Sequence, residues 1–135
     1  MKKRTFVMGD IHGNLRAFDQ CMERCQFDAD QDILIQLGDV SDRQLETAMV
    51  VERLLKIKNL IAIRGNHDEW THKWISSGIK DSSWLTNGGR ETIDSYRESN
   101  IEPHSHQGFF DNQVLYHTDA KNRIFVHGGY TQSKG

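Results

Sequence analysis

Gly9-Asp10-Ile11-His12-Gly13-Asn14 decides how the rest of the chain is read. Thr5 to Met8 in front of it is mostly apolar and, with Phe6 and Val7, reads as a short buried strand. Leu15 to Cys25 behind it reads as a helix. A carboxylate and an imidazole two residues apart therefore stand at the carboxyl end of a strand, where open α/β sheets place their ligands. The flanking glycines let the backbone turn sharply and approach something closely. An Asp–His pair suits zinc, manganese or iron better than calcium. Taken alone, the stretch reads equally well as a tight strand-to-helix turn whose aspartate caps the helix.

The same unit recurs twice. Asp32–Leu37 leads to Gly38-Asp39 and a helix near Gln44–Ile57; Leu60–Ile63 leads to Arg64-Gly65-Asn66-His67 and a helix near Glu69–Ser77. Strands that are apolar throughout, alternating with helices, predict an α/β fold: a parallel βαβαβ sheet covered on both faces by helices. Asp10, Asp39 and Asn66 lie 29 and 27 positions apart, about one βαβ unit each, so the three polar ends share one edge of the sheet. In the second helix Ala48, Val51, Leu54 and Leu55 recur at helical spacing and read as core. Beyond it, Lys80–Asn100 is polar, with a turn at Asn87-Gly88-Gly89 and a short helix over Arg90–Ser99. Pro103 opens a polar loop, and its His104 and His106, like His72, read as solvated. Gln113–His117 and Arg123–His127 read as a hairpin or as adjacent strands, the second ending at His127-Gly128-Gly129.

A chain of 135 residues makes one domain, 1–135, able to bury a real core. The formal charge of −2 offers no basic surface for nucleic acid. No run approaches the ~18 apolar residues of a membrane span. The charged start Met1-Lys2-Lys3-Arg4 leads into too few apolar residues for a signal peptide, so a cytoplasmic location with no membrane partner is expected. Cys21 and Cys25 are four apart on the first helix, which is not the spacing of a zinc knuckle or redox motif. They read as buried thiols in a reducing compartment.

The strand ends and His127 together supply Asp, His, Asp, Asn and His, each with a glycine beside it. Two metals about 3.5–4 Å apart need a bridging carboxylate and several nitrogen or oxygen ligands. Asp39, on the middle unit, is the natural bridge, with Asp10 and His12 serving one ion and Asn66 and His127 the other. Such a pair acidifies water toward neutral pH and clamps phosphoryl oxygens during in-line attack. Arg43 and Arg64, beside the ligand ends, fit the phosphoryl charge through paired N–H bonds; in isolation each reads as a surface arginine. His67, next to Asn66, is the candidate general acid for the leaving oxygen. Asp42 could hold the His67 ring, cap the following helix, or do both. His117 is a weaker candidate, and Asp68 and Glu69 favour a helix start through its dipole.

Gly9-Asp10-Ile11-His12-Gly13, Gly38-Asp39-Val40-Ser41-Asp42-Arg43, Gly65-Asn66-His67-Asp68 and His127-Gly128-Gly129 resemble the ordered motifs GDxHG, GDxxDR, GNH(D/E) and HGG of the calcineurin-like metallophosphoesterase superfamily. The branch they resemble is that of the phosphoprotein phosphatases, and Arg64 before Gly65 is similar to the bacterial and phage-type serine/threonine enzymes. The resemblance implies a four-layer α/β sandwich and two divalent metal ions, Mn2+ first, with Fe or Zn possible. It implies hydrolysis of a phosphoprotein or small phosphoester substrate without a covalent intermediate, with the roles above for Asp10, His12, Asp39, Asn66, His127, His67, Asp42, Arg43 and Arg64. Gln44 follows Arg43 where the family usually has glycine. The family also carries a further half-sheet and a late ligand histidine after HGG. The chain is accordingly expected to be an amino-terminal portion of that fold, lacking the C-terminal part of the second sheet. Two alternatives stand beside phosphomonoester hydrolysis: a dinucleoside polyphosphate hydrolase, which shares GDIHG and GNHD, and a non-catalytic short form that binds metal or phosphate.

Overall fold

The computed structural model describes residues 3–129; Met1 and Lys2 of the charged start lie outside them. Three parallel strands, β1 (Thr5–Met8), β2 (Ile33–Gln36) and β3 (Asn59–Ala62), pair in the order β1-β2-β3. Phe6, Leu34 and Leu60 are aligned across them, as are Met8, Gln36 and Ala62. Helix α1 (Leu15–Arg24) connects the first pair and α2 (Thr47–Leu55) the second. Two successive crossovers in one direction, each right-handed, put both helices on the same face of the sheet. Phe18 and Met22 of α1, and Val50, Val51 and Leu54 of α2, accordingly join one core with Phe6, Met8, Leu34, Leu60 and Ala62.

Helices α1 and α2 thus share one face rather than taking one each. The other face is covered unevenly: Ile35 of the central strand is buried, Val7 is 50% exposed and Ile61 is half-buried. Cys21 is exposed and Cys25 half-buried, so the reading of both as buried thiols is corrected. The i, i+4 spacing did put them on one face of α1, but Phe18 and Met22 occupy the face that packs. In α2 the core stripe is Ala48, Val50, Val51 and Leu54, while Leu55 is half exposed.

Helix α3 (Asn66–Ser77) begins three residues earlier than its sequence suggests and ends on Gly78 in the left-handed conformation. A single turn, α4 (Ser82–Trp84), runs through a non-helical bend at Asn87 and Gly88 into α5 (Arg90–Ser99). A 3₁₀ turn over Pro103–His106 leads to α6 (Gln107–Asp111). His106 is buried there, with Nδ1 2.7 Å from the Tyr96 hydroxyl, and is not the solvated side chain its polar neighbours suggested. Val114 then bridges to Ile63 beyond the end of β3. Strands β4 (Tyr116–Thr118) and β5 (Ile124–Val126) form the expected hairpin, antiparallel and separate from the first sheet. No helix among the described residues is long and apolar enough to cross a membrane.

The start of β1 is tied to the approach to β2 by one fork. Arg4 donates from Nε to Asp32 Oδ1 at 3.2 Å and from Nη2 to Oδ2 at 2.7 Å, and the Asp28 N–H adds a third bond at 2.8 Å. The Arg4 guanidinium holds the Asp32 carboxyl down to about 2. A depressed carboxyl stabilises the fold above its ordinary value near ~4, and that contribution fades as pH falls through the folded value. Asp32→Asn is expected to lower the urea midpoint at pH 7. The gap to the parent should narrow steadily between about pH 4 and pH 2; a gap that stays constant across that range would show that Asp32 does not act through its charge.

Candidate metal centre

The loops after β1 and β2 are bound to each other before any side chain is considered. The Ile11 and His12 N–H groups both donate to the Asp39 carbonyl at 3.0 Å, and the Gly13 N–H donates to Val40 at 2.8 Å. Asp39 in turn approaches the third loop so closely that a Cβ on Gly65 would collide with its carboxylate, which is why a glycine stands there. The sharp turns have a backbone cost: His12, Asp39, Asp42 and Arg43 all hold positive φ, at 47°, 57°, 77° and 77°. Left-handed non-glycine residues cost about 1–3 kcal/mol each and gather where function over-determines the geometry.

Asp39 sits at the meeting point. Its Oδ1 accepts from the His67 N–H at 3.1 Å, which fixes the carboxylate. Its Oδ2 lies 3.2 Å from His127 Nε2 and 3.7 Å from His12 Nε2. His12 Nε2 is also 3.4 Å from Asp10 Oδ2. His12 Nδ1 faces the Ser41 carbonyl at 2.8 Å and His127 Nδ1 faces the Leu37 carbonyl at 2.8 Å. A carbonyl only accepts, so each Nδ1 carries a proton, and in the neutral ring each Nε2 presents a lone pair. Such lone pairs face carboxylate oxygens favourably only with a cation or a second ring proton between them. The ligand atoms fall into two groups that share Asp39: Asp10, Asp39 and His127, and His12, Asp39 and His67. Oxygen and imidazole donors in this arrangement fit two first-row divalent ions. The grouping differs from the sequence reading: His127 stands with Asp10, and His12 stands with His67, the candidate general acid, while keeping its own approach to Asp10 at 3.4 Å. Asn66 is exposed at the first position of α3, between Gly65 and His67.

His67 is buried and differs from the other two histidines in its partner. Its Nδ1 lies 2.7 Å from Asp42 Oδ2, and its ring stands edge-on to His12 and Trp70. Asp42 is fully buried, and burial pushes its carboxyl up while bonds from Thr92, His67 and Trp84 oppose that. It does not cap α2, whose N-cap is Glu46. Arg43 is exposed, and its side chain makes no hydrogen bond or ion pair among the described residues. Arg64 donates from Nη2 to the Phe110 carbonyl, and its Nε is buried without a partner among the described residues.

Asp68 carries a role that its sequence position did not suggest. Its buried carboxylate accepts from the Asp39 N–H at 2.7 Å, the Val40 N–H at 2.9 Å and the Gly65 N–H at 2.9 Å. Gln113 Nε2 adds a bond at 3.0 Å. Asp68 thus joins the second and third loops, and burial pushes its carboxyl up to about 6. The available signal was its place three residues after Gly65, the spacing of a capping box. His117 lies in β4, half-buried against Phe125, outside both ligand groups.

A family model described as calcineurin-like phosphoesterase matches residues 3–134. A Salmonella typhimurium protein named serine/threonine-protein phosphatase 1 is 33% identical over 87 residues, 64% of this chain and 39% of that protein. A Coxiella burnetii protein named symmetrical bis(5'-nucleosyl)-tetraphosphatase is 30% identical over 66 residues, 49% of this chain and 23% of that protein. The matched stretches thus span well under half of these relatives. A serine/threonine phosphatase structure from Saccharomyces cerevisiae, 19% identical, shares the fold with a TM-score of 0.67 over 96% of this chain and 39% of its own.

Proposed function

This chain belongs to the calcineurin-like phosphoesterase family, and from that premise we propose that it carries the metal centre of a phosphomonoesterase acting on phosphoserine or phosphothreonine proteins. The observation that carries the reading is the Asp39 carboxylate shared by two ligand groups. Asp10, His12, Asp39, Asn66 and His127 would hold two divalent ions, manganese before iron or zinc. The chemistry that bound ions supply there is Lewis acidity and positive charge against phosphoryl oxygens. The chain's own residues do the rest. His67 protonates the leaving oxygen from Nε2 while Nδ1–H stays on Asp42. Arg43, exposed and without a partner among the described residues, pairs with phosphate oxygens. Arg64 supports the same charge from the β3 end, steadied by Phe110. The two free thiols fit a reducing, cytoplasmic setting.

The test is manganese-supported release of phosphate from a phosphoserine peptide. His67→Asn is expected to keep the metals and to slow that reaction by ~10²-fold or more, as for loss of a general acid. Loss of metal instead would make His67 a ligand. The similarity to a bis(5'-nucleosyl)-tetraphosphatase favours a second reading, cleavage of dinucleoside polyphosphates. Relative rates on the phosphopeptide and on diadenosine tetraphosphate separate the two.

A further inference from the structure

The segment from α4 to α5 carries no ligand and none of the recurring motifs, yet it reaches the centre of the site. Trp84 is fully buried, and its Nε1–H lies 2.9 Å from each Asp42 carboxylate oxygen. Thr92, also fully buried, donates from Oγ1 to Asp42 Oδ1 at 2.7 Å and accepts from the Asp42 N–H at 2.8 Å. The Arg43 N–H donates to the Gly88 carbonyl at 3.1 Å. Gly89 packs flat beneath the Trp84 indole, where any Cβ would collide with the ring. The segment therefore grips Asp42 and Arg43, two of the left-handed residues of the second loop, and it supplies the short bonds to the Asp42 oxygens beside His67, with Thr71 of α3 at a longer 3.4 Å from Oδ1. With those oxygens committed, the carboxylate has one orientation, and Oδ2 meets His67 Nδ1.

We propose that Trp84 and Thr92 are positioning residues for the hydrolysis: they fix the Asp42 carboxylate, which in turn fixes the His67 ring with Nε2 toward the leaving group. This rests on reading His67 as the general acid. In that step water forms the new P–O bond and the P–O bond to the leaving group breaks. The electron pair stays on the leaving oxygen, and the His67 Nε2 proton transfers to it. A misoriented ring harms this transfer most when the leaving oxygen is strongly basic, and hardly at all when it departs as a stable anion. A residue that only fills space affects both kinds of substrate alike.

The experiment uses Thr92→Val, which removes the hydroxyl at nearly constant volume, Thr92→Ser, which keeps it, and Trp84→Phe, which removes the indole N–H. In the full chain without added metal, the His67 Nδ1–H proton is followed by NMR and assigned by its loss in His67→Gln. It should be protected from exchange in the parent and in Thr92→Ser, and exchange at least ~10-fold faster in Thr92→Val and Trp84→Phe, since freeing the carboxylate opens that bond to water. With manganese, Thr92→Val should lose ~10-fold more kcat on a phosphoserine peptide than on p-nitrophenyl phosphate, with KM little changed. Equal losses on both substrates, or Thr92→Ser behaving as Thr92→Val, would overturn the positioning role. Should the parent turn over neither substrate, the phosphoesterase reading falls, and the exchange measurement still decides whether Trp84 and Thr92 hold the Asp42–His67 pair.

Discussion

Asp39→Asn is expected to abolish paired metal binding while leaving the fold intact. An asparagine Oδ1 still accepts the His67 N–H that Asp39 Oδ1 accepts at 3.1 Å. Its amide, placed where Oδ2 now stands 3.2 Å from His127 Nε2, donates to that lone pair. With the His127 and His12 rings neutral, the metal-free variant gains a hydrogen bond and loses the repulsion between Asp39 and its acceptor neighbours. In that state it should melt at or above the temperature of the metal-free parent. The cost falls on the cations. Losing the one carboxylate common to both ligand groups should weaken binding by more than the ~10–100-fold seen when only an outer partner of a ligand is removed. Calorimetric titration with Mn2+ and thermal melts with and without it would show this: a metal-dependent rise in Tm for the parent, none for the variant. An Asp39→Asn protein that binds manganese as the parent does would show that Asp39 is no bridge.

Asp68→Ala should carry the largest stability effect in the molecule. Truncation leaves the N–H groups of Asp39, Val40 and Gly65 buried with nothing to accept them. Each orphaned donor costs about 1–3 kcal/mol, and three that share one acceptor relax together, so ~3–6 kcal/mol in total is expected. Against the ~5–15 kcal/mol that holds a typical domain, this approaches loss of the fold. Glu69→Ala, one residue along and exposed, should change stability by no more than ~0.5 kcal/mol. Urea denaturation of the three proteins side by side tests the contrast. If Asp68→Ala and Glu69→Ala unfold at the same midpoint, Asp68 is a helix-start residue and nothing more. Asp68→Asn should fall between, because an amide keeps one acceptor oxygen where the carboxylate uses both.

The strand ends are legible in the sequence because each combines two periodicities that fail together at one point. An apolar run stops, a glycine follows, and a ligand-type residue stands beside it. Asp10, Asp39 and His127 meet in the structure as that pattern implies. The hairpin that returns His127 to the Leu37 carbonyl is also visible as two short apolar runs around a polar turn. What escapes is everything that depends on which neighbour a side chain meets once the chain has folded back on itself. Asp68 looks like a charge at a helix start, and only folding brings the Asp39 and Val40 N–H groups onto it. Trp84 and Thr92 lie in a polar stretch with no spacing that points to Asp42. His106 has polar neighbours along the chain and a buried partner, Tyr96, ten residues away. The one-sided placement of the first two helices escapes for another reason. Composition shows that β1 is apolar, and only topology shows that α1 and α2 share one side.

One carboxylate, Asp39, is proposed to join two cation sites. Electron paramagnetic resonance of the chain titrated with Mn2+ reads that junction itself. Two ions per chain are expected, with the broadened, many-line spectrum of spin-coupled manganese. A simple sextet from isolated ions at every loading, or saturation at a single ion, would contradict it.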